Sequence, residues 1–342
     1  MYTTPSEAEV LASRRLSRLK EAARVCGLLI VVSAIAVLIG WIYEDDFLKR
    51  ISPSFGAMNP LTALAFVAAG IVLCRFSEEG KGSLLGRALA GFVLLVGVVK
   101  LLDYALGWEF HIDEILFRAQ VLGNNVKAGN HLSPNTAAAF LLGGLALALL
   151  ESRRGGRFSA WAQGFSLALL GIATISLIGY LYGQYSLYRL AGRSAMALHT
   201  SLCFALLALG VMLAQAEGGM VRLLSGTTAG GSSARRLLPV AVGLPILLGA
   251  LRLWAAKGGW FSPEFGAACL IILFSTLFAF LTWRDAATLD RIERERREAE
   301  ARLKQAHEEI DLRLRTLAAP LYAENEALRA EIARLKPLVK GG

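Results

Sequence analysis

The phrase Met58-Asn-Pro-Leu-Thr-Ala-Leu-Ala-Phe66 returns as Leu132-Ser-Pro-Asn-Thr-Ala-Ala-Ala-Phe140 and as Met196-Ala-Leu-His-Thr-Ser-Leu-Cys-Phe204. Phe261-Ser-Pro-Glu-Phe-Gly-Ala-Ala-Cys269 is a degenerate fourth copy. Each copy opens an apolar block, and the separation between copies is that of one helical hairpin, so the sequence predicts four repeated hairpins. The phrase has a mechanical reason. Asn59, Ser133 and Ser262 suit a helix N-cap, and Pro60, Pro134 and Pro263 suit the first helical position, where a missing N–H costs nothing. Thr62, Thr136 and Thr200 follow in the first turn, where they can bond backbone or a neighbouring helix.

The surrounding composition sets the solvent. Of 342 residues, 55% are hydrophobic and 18% charged, and the apolar residues fall in blocks near membrane-spanning length. A soluble enzyme or a disordered chain does not have this balance. Eight spans are expected, at about 25–43, 58–75, 87–107, 134–150, 161–182, 196–215, 237–255 and 264–283. The formal net charge of +9 is read as retention of loops on the cytoplasmic side rather than as nucleic-acid binding. The N-terminal arm and the loops after spans 2, 4 and 6 hold fourteen Lys and Arg, against seven on the other side. Both termini are therefore expected in the cytoplasm. Cys26, Cys74, Cys203 and Cys269 all lie inside apolar blocks without metal-ligand spacing, and no disulfide is expected.

Polar residues at membrane depth are candidate functional residues. Lys100 and Asp103 stand three apart in span 3 and can pair on one helix face. His199 lies in span 6, Arg252 in span 7 and Glu264 in span 8, and all five fall in the periplasmic half of the charge-based topology. The candidate ligand site is Lys100, Asp103, His199, Thr200, Thr62, Asn59, Asn135, Thr136, Arg252 and Glu264, around a ring of helix N-termini that favours anionic or hydrogen-bond-accepting ligands. Plain alternatives stand beside this. Lys100–Asp103 suits a structural ion pair, Arg252 and Glu264 suit headgroup contact, and His199 suits a packing residue. His111, His131 and His199, with Asp113 and Glu114 nearby, are weaker candidates for a metal or haem. Tyr104, Trp108, Tyr180, Tyr182, Tyr185, Trp254 and Trp260 read first as an interfacial aromatic belt. The chain contains no nucleotide-binding, hydrolase or metalloprotease motif, and no cofactor can be assigned from it.

From Trp283 onward the apolar run stops. Ile292, Ala299, Leu303, Ala306, Ile310 and Leu317 form a coiled-coil seam. Leu314, Leu321, Leu328 and Leu335 then form a strict heptad whose a positions include Asn325 and Ile332, and a single Asn at a specifies a parallel dimer. The two seams are offset by one residue beside Pro320, which predicts two helices broken near 318–320. The domains are accordingly 1–24, an N-terminal arm; 25–284, the membrane domain; 285–318, a coiled-coil helix; and 319–342, a dimerisation segment.

Two resemblances follow. Residues 325–339, Asn-Glu-Ala-Leu-Arg-Ala-Glu-Ile-Ala-Arg-Leu-Lys-Pro-Leu-Val, resemble the dimerising zipper of a yeast basic-zipper transcriptional activator, without its basic DNA-reading region. A membrane protein ending this way looks like an engineered fusion in which a zipper replaces a dimeric output domain; a natural zipper is the alternative. The repeated phrases are similar to those of multispanning N-terminal sensor regions in bacterial membrane histidine kinases and diguanylate cyclases. The charged helix 291–310 is similar to their signalling helix. The resemblance covers roughly residues 25–317. It implies a homodimeric, inner-membrane input module that relays a periplasmic or intramembrane signal of unknown identity to the coiled coil. There is no kinase or cyclase domain, so the chain itself is not expected to be an enzyme. A small transporter or channel, and a haem-, metal- or quinone-binding membrane protein, are the rival readings.

Overall fold

The computed structural model describes residues 7–52, 55–79, 82–108, 110–122, 130–152, 157–184, 194–216, 218, 221, 229–258 and 263–339. Among them every regular element is helical. In chain order these are α1 (Glu7–Ile42), α2 (Asp46–Arg50), α3 (Pro60–Glu79), α4 (Leu84–Leu106), a 3-10 turn at Ile112–Glu114, α5 (Arg118–Leu122), α6 (Pro134–Glu151), α7 (Arg157–Tyr182), α8 (Leu198–Ala214), α9 (Ala229–Lys257) and α10 (Pro263–Val339). The chain divides into two units, Met1–Leu270 and Ile271–Gly342.

Seven of these helices are long and apolar enough to cross a bilayer. The protein is thus a multi-pass helical membrane protein. The expected sixth span, α8, is apolar but only 17 residues long, Leu198–Ala214. At 1.5 Å per residue it falls a turn short of an average hydrocarbon core.

The expected helix entries are present. α3, α6 and α10 begin at Pro60, Pro134 and Pro263. Asn59 Oδ1 accepts the Leu61 N–H at 2.9 Å and Ser133 Oγ accepts the Thr136 N–H at 3.2 Å, each covering a donor that the helix leaves unpaired. Ala197, which holds the corresponding place before α8, offers no side-chain cap. Ser262 lies outside the described residues.

The first three hairpins close on themselves. α1 packs on α3, α4 on α6 and α7 on α8, while α3–α4, α6–α7 and α8–α1 contacts complete a ring. The helices that open with the repeated phrase are innermost: α3, α6 and α8 all touch one another. The apolar windows of α3 and α6 are 61% and 56% buried, against 33% for α1 and 28% for both α4 and α7. At the centre stand the last residues of the three phrases. Phe66, Phe140 and Phe204 are fully buried, with ring centroids 5.2, 4.7 and 4.8 Å apart and tilted or edge-to-face planes.

The first three hairpins therefore form a pseudo-threefold bundle. The fourth phrase departs at the residue that matters, since it carries Cys269, which is exposed, where the others carry Phe. α9 keeps only a light contact with α7, and none of its apolar window is buried.

Two close crossings set the hairpins. A Cβ on Gly144 of α6 would strike the Leu94 backbone of α4, and one on Gly97 of α4 would strike the 137–141 backbone of α6. Without a hydrophobic drive between helices in lipid, such small-residue approaches let dispersion do the packing. Gly144→Val is expected to lower unfolding stability by about 3 kcal/mol. Gly91→Val is expected to be near neutral, because a Cβ there meets nothing within 4 Å. Thermal unfolding of the two variants in one detergent checks the contrast.

The tail differs from expectation at Pro320. α10 is one helix of 77 residues, unbroken from Pro263 to Val339. Pro320 deletes one backbone donor from an exposed surface, where water can satisfy the freed carbonyl, so the helix continues through it. The offset of the two seams thus occurs within a continuous helix. Arg–acid pairs at i,i+4, such as Arg294–Asp290 at 2.6 Å and Arg296–Glu300 at 2.8 Å, run along its charged faces. Each adds only a few tenths of a kcal/mol, about 0.3–0.5, at such exposure.

Candidate functional site

Three equivalent hydrogen bonds tie the outer helices to the entries of the inner ones. Trp41 Nε1 donates to the Met58 carbonyl at 2.8 Å, Tyr104 Oη to the Leu132 carbonyl, and Tyr180 Oη to the Met196 carbonyl at 2.6 Å. Met58, Leu132 and Met196 are the opening residues of the three phrases, and all are buried. Tyr104 and Tyr180 thus do more than line an interface: each closes its hairpin at the entry end. Tyr182 bridges to the Ile246 carbonyl of α9 at 3.0 Å.

Over the second hairpin this end carries a buried polar network. Lys100, on α4 and 4% exposed, places its Nζ 2.8 Å from Asp103 Oδ2 and 3.1 Å from Asp113 Oδ1. Asp113, in the 3-10 turn, is completely buried. Its Oδ2 accepts the Leu132 N–H at 2.8 Å and faces His131 Nδ1 at 3.3 Å. Asn59 reaches across from the first hairpin, donating to the Asp113 and Asn130 carbonyls at 3.0 and 2.7 Å. Asp103 Oδ1 accepts the Phe110 N–H at 2.9 Å. Glu114, also buried, lies 3.6 Å from His111 Nε2, 3.9 Å from His131 Nδ1 and 3.3 Å from Arg118 Nε.

The electrostatics of the turn follow from these neighbours. Burial works to raise the Asp113 carboxyl, but His131, Lys100 and the Leu132 N–H outweigh it and hold its pKa at about 2. His131 is moved the other way. Its hydrogen bond to Asp113 raises it, against partial burial, with the charges of Asp113 and Glu114 adding and Lys100 opposing.

Lys100 and Asp103 pair, as their spacing predicted, and Asp113, His131 and Asn59 join the same network. Thr62, Thr136 and Thr200 are all buried in first turns, and the Thr136 hydroxyl pairs with Ser133 Oγ at 2.8 Å. Asn135 is half-buried beside them. His199 is 5% exposed, and neither ring nitrogen has a hydrogen bond of normal geometry, although the ring stands against the Lys49 backbone. Arg252 is half-buried on α9, and the Glu264 side chain lies outside the described residues.

Among the metal candidates, His111 and His131 come together with ring centroids 6.1 Å apart, while His199 stands on α8 against α2. No group of three or more His, Cys, Asp or Glu among the described residues is arranged to hold a metal ion. In the tail, Leu314, Asn325 and Leu328 are exposed on α10, and the side chains of Leu321, Ile332 and Leu335 lie outside the described residues.

Asp113 is the residue that sequence reasoning undervalued. It lies beyond the end of span 3, so the rule that singles out charges at membrane depth did not reach it. The available signal was an adjacent acidic pair, Asp113-Glu114, in the otherwise apolar run Ile112–Phe117. Glu151 was missed in the same way. It is 1% exposed at the far end of α6, where it accepts the Ser83 N–H at 2.7 Å.

Comparison with protein-family models, with curated proteins and with solved structures found no match.

Proposed function

We propose that this chain is the membrane-embedded input module of a bacterial inner-membrane signalling protein, dimeric through its tail, with both termini in the cytoplasm. The Lys100–Asp113 network faces the periplasm in this reading and receives the signal. The observation that carries the proposal is the continuity of α10. One helix passes from the apolar stretch after Pro263 into a charged tail, with Ile292, Leu303 and Ile310 left 40%, 74% and 56% exposed along one seam. An apolar seam on a charged helix is stable in water when a second helix covers it, and a second copy supplies one in register. An unbroken helix also transmits displacement without a hinge. Ligand binding shifts such a system only through different affinity for two helix arrangements. Output in this reading belongs to a kinase- or cyclase-type domain, and this chain carries no catalytic role.

The transporter reading is disfavoured by the Phe66–Phe140–Phe204 cluster, which fills the axis of the bundle with aromatic rings. Uptake of solute by proteoliposomes would reverse that judgement. The seam is tested by cysteine crosslinking in membranes, with the four native cysteines replaced. Leu303→Cys and Ile310→Cys are expected to crosslink into dimers readily and Arg297→Cys poorly. Equal crosslinking at all three positions would remove the dimeric seam.

A further inference from the structure

We infer that the signal read by this site is the proton: the His131 imidazole, set between the Asp113 and Glu114 carboxylates, tightens the 110–122 segment onto the bundle when protonated and loosens it when neutral. The inference deepens the input-module reading and rests on it for its consequence at the tail, though not for the latch itself.

The charge inventory carries the argument. Three carboxylates, Asp103, Asp113 and Glu114, meet two permanent cations, Lys100 and Arg118, within ion-pair distance. Among the described residues one negative charge is left over, in a turn whose two acidic residues are both buried. A single imidazolium balances it. His131 Nδ1 stands 3.3 Å from Asp113 Oδ2 and 3.9 Å from Glu114 Oε1, so one proton serves both carboxylates. His111 lies 3.6 Å from Glu114, with its ring centroid 6.1 Å from that of His131, in a more exposed position. The His131 side chain is 32% exposed, which gives solvent protons access while most of the ring stays in contact.

The site is also placed to act mechanically. Asp113 ties the 3-10 turn to α4 through Lys100 and to the entry of α6 through the Leu132 N–H. Asn59 joins the same turn to the entry of α3. A change at His131 therefore acts on a junction of two hairpins. The sign follows from the geometry. The latched state holds the His131 proton more tightly than a free imidazole does, so protonation favours the latch. Its contribution is complete below the ordinary histidine value and is lost as pH rises through the raised one. Asp113, held at about 2, stays ionised across this range.

The test uses the full chain in nanodiscs from about pH 5 to about pH 8, the range over which histidine changes charge. Hydrogen exchange of 110–122, corrected for the intrinsic pH dependence, reads the latch. A nitroxide on Leu303→Cys, with the native cysteines replaced, reads the tail. Exchange in the wild type is expected to rise about tenfold toward alkaline pH, the scale of one charge-assisted hydrogen bond. His131→Gln should be flat, and His111→Gln should keep the dependence. A flat wild type, or His131→Gln that titrates like it, overturns the proton latch. A latch that titrates while the Leu303 distance stays fixed upholds this inference and removes the input-module reading. If His131→Gln fails to fold, the NMR titration of His131 in the wild type decides: a midpoint at or below about 6.5, the free value, overturns the inference.

Discussion

Asp113→Asn is expected to destabilise the protein by about 3 kcal/mol, the lower end of the cost of breaking a buried ion pair, because Lys100 keeps Asp103 at 2.8 Å. The wild-type carboxylate compensates Lys100, which is 4% exposed, and accepts the Leu132 N–H that opens the entry to α6. The amide keeps the shape but loses the charge. Lys100→Met should cost a similar amount, since it leaves Asp113 charged and fully buried. The double variant Lys100→Met/Asp113→Asn is expected to lose less than the sum, because neither charge of that pair remains and only Asp103 is left without its cation. Unfolding in a mild detergent at neutral pH measures all three. Additive losses would mean that the two groups do not form an energetic pair. The same carboxylate sets an acid limit. Its stabilisation is complete above its ordinary value near 3.8 and is lost as pH falls through about 2. The loss amounts to about 2 kcal/mol.

Phe66→Ala, Phe140→Ala and Phe204→Ala are expected to cost about 3–5 kcal/mol each, and to cost alike. Near-equality is the sharper part of this expectation. The three rings are fully buried and meet pairwise at nearly equal distances, so each deletion opens the same cavity on the bundle axis. Cys269→Ala, the corresponding change in the fourth phrase, should be within about 0.5 kcal/mol of neutral, as an exposed side chain implies. Thermal or denaturant unfolding of the four variants reads the pattern. One dominant phenylalanine with two silent ones would contradict a pseudo-threefold core.

Much of the fold was legible because the phrases combine local signals that agree. A proline at the first helical position, a capping side chain before it and an apolar run after it fix a helix start whatever its surroundings, and α3, α6 and α10 begin at their prolines. Lys100 and Asp103 were legible for a similar reason, since residues three apart on a helix share a face. The closure of three hairpins was not legible. It depends on which helices meet, and the clue lay in one position per phrase, Phe66, Phe140 and Phe204 against Cys269. Asp113 was hidden because its partner Lys100 lies on another element, thirteen residues away. Pro320 misled in the opposite direction. A proline is a strong local signal, yet α10 runs through it on a surface where the lost hydrogen bond has water as an alternative.

The central claim is that the state of the network around Lys100 and Asp113 reaches the tail through α10. It is tested most directly by the distance between nitroxides on Leu303→Cys in the two protomers, compared between the wild type and the Lys100→Met/Asp113→Asn variant in nanodiscs. The account predicts that both chains form dimers and that the distance distribution differs between them. Identical distributions, from two folded dimers that differ only in this network, would contradict it.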